Sequence, residues 1–182
     1  YECKIFSQQG EDGIIMEIFN IIGAKQFTFI EIGVQDSIEC NSTNLLLNLN
    51  WTGAQFEGCK ESYIDGKKFF QEKGVKNNQC QLLNRFIEVE NVNSLIQKTG
   101  ITGEIDFFSL DIDGNDFYIV QTLLDNKFVP DCLIVEYNSK FPPPILYNLE
   151  YDENYKWTGY DDQGTSLQYW IDDLEKFIKV SI

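Results

Sequence analysis

Apolar positions along the chain fall into two alternating periods, and that alternation defines a fold class. Over residues 12–22, Ile14, Ile15, Ile18, Phe19 and Ile22 recur at three- and four-residue steps and Gly23 follows as a stop, which predicts an amphipathic helix. The polar approach to it, residues 7–12, reads as its cap and loop. Residues 26–32 are a short β-branched and aromatic run closed by Gly33, the pattern of a buried strand. A helix over 43–49, a strand over 53–57 ending in an acid, and a helix over 63–73 follow. The alternation continues with a weak strand over 79–83, a short helix over 92–98 closed by Gly100, and a strongly apolar strand over 105–110. A helix over 116–124 and a fifth strand over 132–137 complete it. Strands alternating with helices imply parallel pairing through right-handed crossovers, hence an α/β three-layer αβα sandwich with a mostly parallel sheet. Ligands of such sheets sit at the carboxyl ends of the strands, where the strand order reverses. The loops after Ile32, Phe56, Leu110 and Tyr137 are therefore expected around one crevice.

Composition narrows the function classes. The 182 residues, 43% apolar, amount to one domain spanning 1–182. A net charge of −15, from 29 acidic against 14 basic residues, repels phosphate backbones and anionic lipid heads, so neither nucleic acid nor a membrane surface is expected as a partner. No long apolar window and no signal pattern point to insertion or export, and a cytoplasmic location is expected. Cys3, Cys40, Cys59, Cys80 and Cys132 are odd in number and lack C-x-x-C spacing, which speaks against a disulfide framework or structural zinc and for reduced thiols. The chain contains no histidine. Catalysis must then run on carboxylates, tyrosines, lysines, bound metal or positioning.

The strand ends hold the candidate chemistry. Glu31-Ile32-Gly33-Val34-Gln35-Asp36-Ser37 carries an acid at a strand end and a glycine suited to a tight turn. Glu57 ends the next strand, where an acid either accepts ribose hydroxyls or is simply solvated. Residues 107–117 run from an apolar strand into Asp111, Asp113, Asn115 and Asp116. This reads as a functional carboxylate cluster or as an Asx-rich turn capping the following helix through Asn115 or Asp113. Glu136 and Asn138 arrive at the same end, and with Asp111 and Asp113 they offer hard oxygen ligands to a divalent cation, Mg or Ca. The aromatic-rich stretch at about 139–165 reads either as a lid or acceptor-binding wall or as aromatics packed on the core.

Taken in order, Ser7-Gln8-Gln9-Gly10-Glu11-Asp12, Phe29-Ile30-Glu31-Ile32-Gly33, Glu39-Cys40-Asn41-Ser42-Thr43, Trp51-Thr52-Gly53 with Phe56-Glu57-Gly58, Ser109-Leu110-Asp111-Ile112-Asp113-Gly114-Asn115-Asp116 and Val135-Glu136-Tyr137-Asn138 resemble the FkbM-like branch of the class I S-adenosylmethionine (SAM)-dependent methyltransferases. The match runs from about residue 6 to 140, with Gly164-Thr165-Ser166-Leu167 as a further segment. The resemblance implies a Rossmann-like fold, SAM as cofactor, and O-methylation of a small-molecule or glycan hydroxyl. By position it implies that Glu31 and Gly33 border the methionine part of SAM, continued by Gln35 and Asp36, and that Glu57 with Gly58 holds the ribose. It also implies that the loop containing Asn84 flanks the adenine, that Asp111 lies beside the sulfonium, and that Gln8 and Asp12 close the site. Asp113 or Glu136 would accept the proton. Two departures stand out. Gln35 and Ser37 replace glycines of the fuller pattern and are expected to resist φ > 0. After the fifth strand only a helix over 167–177 and at most the start of a sixth strand are expected, so the sheet reads either as truncated at its C-terminal strands or as completed differently at its edge. Both departures support an alternative, a non-catalytic binding module that has lost cofactor turnover.

Overall fold

Neighbouring residues of each strand are claimed by opposite faces of one sheet, which is why the strands read as nearly continuous apolar runs. The computed structural model describes residues 1–101, 104–136 and 150–155. Its strands are β1 (Thr28–Ile32), β2 (Thr52–Glu57), β3 (Cys80–Asn84), β4 (Phe107–Leu110) and β5 (Cys132–Val135), all parallel, in the spatial order β3-β2-β1-β4-β5. The helices are α1 (Glu11–Ile22), α2 (Thr43–Leu47), α3 (Lys60–Lys73), α4 (Val92–Lys98) and α5 (Asp116–Asp125).

Phe29 and Phe107 pack with Ile15 of α1, Leu45 and Leu46 of α2 and Phe69 and Phe70 of α3 on one face. Ile30, Ile32, Phe56, Phe108 and Leu110 pack on the other against Val92 and Ile96 of α4 and Ile119 and Leu123 of α5. The result is the expected Rossmann-like three-layer sandwich. Phe29, Phe56, Phe107 and Phe108 are at most 1% exposed, and burial of such side chains stabilises by roughly 1.5–3 kcal/mol each. On the α2 face the periodicity is interrupted by polar side chains, Glu31, Gln55 and Ser109, all at most 5% exposed. They form a buried network, in which Gln55 Nε2 donates to Ser42 Oγ and Asn41 Nδ2 to Ser109 Oγ.

Element boundaries shift where a side chain takes a backbone partner. β1 starts at Thr28 rather than 26, and β4 at Phe107 rather than 105, for a single reason. Asp106, 1% exposed, accepts from the backbone N–H of Lys25 at 2.5 Å, Gln26 at 3.1 Å and Thr28 at 3.0 Å, so both segments bend around it. The helix expected over 167–177, any sixth strand, Asn138, the 164–167 segment and most of the 139–165 stretch lie outside the described residues. Among the described residues no helix is long and apolar enough to cross a membrane.

Burial opposes ionisation of Asp106, but the N–H groups of Lys25, Thr28 and Gln26 outweigh it and hold the carboxyl below its ordinary value. A depressed folded pKa gives stability that is present above the unfolded value and lost as pH falls through the folded one. Asp106→Ala, which leaves three N–H groups unpaired, is expected to lower the unfolding free energy by roughly 2–4 kcal/mol. Asp106→Asn should cost about half as much, and its deficit should shrink below about pH 4. Urea melts across pH 3–7 check both; an unchanged midpoint for Asp106→Ala would refute this role.

Candidate active site

The strand order reverses beside β1, whose neighbours β2 and β4 lead away in opposite directions, and a cavity of about 860 Å³ opens there at the carboxyl ends of the strands. Its floor depends on Gly33. With φ at +86°, a Cβ there would stand 1.6 Å from the Asp111 carbonyl oxygen, so only glycine lets the loops after β1 and β4 lie this close. The Asp111 N–H donates to the Ile32 carbonyl at 3.1 Å and the Gly33 N–H to the Phe56 carbonyl at 2.9 Å, joining three strand ends.

The loop after β1 corrects one expectation. Gln35 and Ser37 were expected to resist positive φ, yet they adopt +48° and +63°. Such geometry costs an L-residue roughly 1–2 kcal/mol, and hydrogen bonds offset it. The Gln35 N–H donates to Glu57 Oε2 at 2.7 Å, the Ser37 N–H to the Val34 carbonyl at 2.8 Å, and Thr43 Oγ1 to the Ser37 carbonyl at 2.8 Å. The backbone takes positive φ at both positions without glycine, and Gln35 joins the cavity wall.

Two strand-end acids act as loop anchors. Glu57 also accepts the Cys59 N–H at 2.6 Å, and burial raises its pKa while the Cys59, Gln35 and Gly58 N–H groups pull it back. Glu31 accepts the N–H groups of Asn41 at 2.9 Å and Ser42 at 2.8 Å and the Ser42 hydroxyl. Its burial wins over these bonds and raises its pKa.

The loop after β4 is different. Asp116 is buried and accepts the N–H groups of Ile112 at 3.0 Å and Gly114 at 2.9 Å. The helix cap expected of Asn115 or Asp113 is not made at the N-cap Asn115, whose side chain exchanges hydrogen bonds with the Asp152 backbone instead, and Asp116 holds the loop upstream of α5. Asp113, at φ +55°, Asp111 and Glu136 are left converging, each with a carboxylate oxygen within 4.8 Å of the others'. No group of this kind with a histidine is available, so a hard divalent cation is the metal the donor set would suit. Loss of water around it, then the charges of Asp116 and Asp113, push Asp111 up to about 6. Glu136 is pushed up to about 9, first by desolvation and then by Asp111, with which it shares a hydrogen bond.

Of the sequence-predicted residues, Gln8, Glu31, Gly33 and Gln35 line the cavity from the first loops, Glu57 and Gly58 from β2, and Asp111, Asp113 and Glu136 from β4 and β5. Asp12, Asp36 and Asn84 do not. Asp12 is buried beneath residues 5–7, Asp36 turns to the Ile38 N–H at 3.0 Å, and Asn84 holds the carbonyls of Glu57 and Gly58 at 2.8 and 3.2 Å. Among the lining residues that sequence reasoning missed is Phe86, whereas Tyr155 belongs to the aromatic stretch read as a lid or acceptor-binding wall. Phe86, 56% exposed, lies against Gly58 and presents a ring to the cavity; an aromatic directly after a strand end is the signal that could have found it. Tyr155 lies on Gly114, where a Cβ would meet its ring at 2.4 Å. Its segment is held down by Tyr151, whose ring meets Tyr118 edge-on at 5.3 Å.

This sheet, with its glycine turn after β1 and acids at the ends of β1, β2 and β4, is the Rossmann-like fold of the class I SAM-dependent methyltransferases. No protein-family profile and no curated protein sequence matches the chain. Among solved structures, the fold is shared with the N-terminal domain of EvdMO1 with SAH bound, at TM-score 0.54 and 13% identity, over 96% of this chain and 71% of that one. The SAH-bound Podospora anserina methyltransferase PaMTH1 (TM-score 0.47, 17% identity, 68% of this chain, 49% of that one) and a Bacillus cereus O-methyltransferase in complex with SAH (0.46, 18%, 63% and 50%) are also similar. The chain spans about half the length of these last two.

Both crowded acids have folded pKa values above their unfolded ones, so their contribution to stability is complete below about pH 4 and is lost as pH rises through about 6 and about 9. In chelator-containing buffer the melting temperature is expected to fall by several degrees between pH 5 and 9. Glu136→Gln should flatten that slope and exceed wild type at pH 9. Calorimetric melts decide, and a wild-type profile no steeper than that of the variant would be incompatible with the shared proton.

Proposed function

We propose that the chain is a single SAM-dependent methyltransferase domain, residues 1–182, of the FkbM-like branch, which methylates a hydroxyl oxygen of a small molecule or glycan. The observation that carries this reading is the cradle itself: Gly33 with no room for a Cβ, beside Glu57 at the end of β2, in a cavity whose charged lining residues are acidic except for Arg85. A cationic sulfonium and ammonium suit that lining. Bound SAM would supply a methyl group activated on a positively charged sulfur. The Glu57 oxygens accept backbone N–H groups and keep lone pairs for ribose hydroxyls, the Phe86 ring would stack on adenine, and Asp111 would flank the sulfonium. A neighbouring cation favours ionised carboxylates, which would leave Glu136 or Asp113 able to accept the acceptor's proton. Gln35 and Ser37, the residues that favoured a non-catalytic module, already hold the turn that cofactor binding needs. Net charge −15 favours a small acceptor over nucleic acid, and five free cysteines fit the cytoplasm.

Isothermal calorimetry with SAM and S-adenosylhomocysteine (SAH) tests the reading. Wild type is expected to bind both, and Glu57→Ala to weaken binding at least about tenfold. No heat for either ligand at millimolar concentration would overturn it.

The convergence of Asp111, Asp113 and Glu136 favours a second, metal-assisted version, with Mg or Ca orienting the acceptor oxygen. Excess EDTA is then expected to abolish methyl transfer while leaving SAH binding in place. Full transfer in chelator would exclude that version.

A further inference from the structure

Residues 1–10 contain no helix or strand, yet they are tied tightly to the start of α1. The tie is Asp12, whose side chain is 1% exposed. Its Oδ2 accepts the backbone N–H of Ile5 at 2.8 Å, Phe6 at 2.7 Å and Ser7 at 2.7 Å, and the Ser7 hydroxyl at 2.9 Å. The Asp12 N–H in turn donates to Ser7 Oγ at 3.0 Å. Three successive N–H groups converging on one oxygen form a nest around an anion. An acid in a first helical turn commonly serves its own helix; this one is turned back onto the loop upstream. Oδ1 has no hydrogen-bond partner among the described residues, so the whole bonding load falls on Oδ2.

The consequence lies at the next residues. Gln8 and Gln9 emerge from the nest exposed and line the cavity. On the far side, Lys4 pairs with Glu39 at 2.8 Å, and Glu39 belongs to the loop after β1, which lines the same cavity. The loop also closes on itself, with the Cys3 N–H on the Gly10 carbonyl at 3.1 Å and the Gly13 N–H on the Cys3 carbonyl at 3.2 Å. Residues 1–10 therefore form a hook from α1 to the β1 loop. Its exposed ion pair contributes little, which leaves the Asp12 nest as its main fastening.

We propose that Asp12 is a positioning residue: without touching the ligand, it fixes residues 5–7 so that Gln8 walls the cavity and retains what binds there. This rests on the reading of the cavity as a cofactor site. The amide oxygen of Asp12→Asn can replace Oδ2, with the amide nitrogen falling where Oδ1 has no partner, so this variant should keep most of the function; Asp12→Ala cannot.

The probe is SAH, measured by calorimetry and by stopped-flow release on the full chain, with hydrogen exchange followed in parallel. Asp12→Ala and Gln8→Ala are expected to weaken SAH about tenfold, mainly through faster release, while Asp12→Asn stays within about threefold of wild type. In Asp12→Ala the amides of residues 5–7 should lose protection while those of β1 and β4 keep theirs, a pattern that general destabilisation would not give. Equal SAH affinity in wild type and Asp12→Ala, with the hook amides unprotected, would overturn the proposal and leave the cofactor reading standing. If Asp12→Ala does not fold, wild-type affinity in Gln8→Ala overturns it. Failure of wild type to bind SAH removes the cofactor reading and this inference with it.

Discussion

The described structure hangs on carboxylates that accept backbone N–H groups. Asp106 gathers residues 25–28 before β1, Glu31 takes the start of α2, and Glu57 takes the loops after β1 and β2. Asp116 takes the loop after β4, and Asp12 takes the N-terminal hook. The composition explains why. With 29 acids, 14 basic residues and no histidine, most acids cannot find a cationic partner. The ion pairs among the described residues all use lysines at least half exposed, and such pairs contribute about 0–1 kcal/mol each. Backbone N–H groups are the donors every loop already has. A charge-assisted bond to them is worth about twice a neutral one.

This separates the acids into two populations, and the separation locates the chemistry. Those satisfied by N–H groups define loop shape. Asp111 and Glu136 instead face each other across the ends of β4 and β5, holding a proton between them where neither would keep one alone in water. Anchoring acids already have donors; the crowded pair gains from any positive charge brought beside it. An electrostatic preference for a cationic ligand is thus built into one end of the cavity by what its carboxylates lack.

The fold was legible because parallel strands are buried on both faces, so β1 and β4 print as apolar runs and the helices as three- and four-step patterns. Boundaries were less so. Nothing in the local sequence of Lys25 or Gln26 says that their N–H groups belong to a carboxylate eighty residues away. In the site, an acid at a strand end was readable as such, but its direction was not. Asp12 turns inward to the backbone, Glu31 lines the cavity but accepts backbone N–H groups, and Asp111 faces Glu136, and sequence position is the same kind of evidence for all three. Phe86 escaped, and the two readings of the stretch containing Tyr155 stayed open, for a related reason. A loop aromatic's role depends on which side of the loop it occupies, and here glycines, Gly58 and Gly114, give the rings their seats.

Gln35 and Ser37 show how a site can outlast its signature. Left-handed backbone at two non-glycine residues costs roughly 1–2 kcal/mol each, and it persists only where the surroundings impose it. One of the imposing bonds is the Gln35 N–H on Glu57 Oε2. Glu57 is also the acid proposed to hold the ribose, so the carboxylate that would recognise the cofactor is the one that holds the cradle loop in shape. Recognition and loop geometry therefore cannot be lost separately. Removing that carboxylate would release the strained turn along with the ribose contact, whereas restoring glycine at position 35 would relieve strain without touching the recognition group.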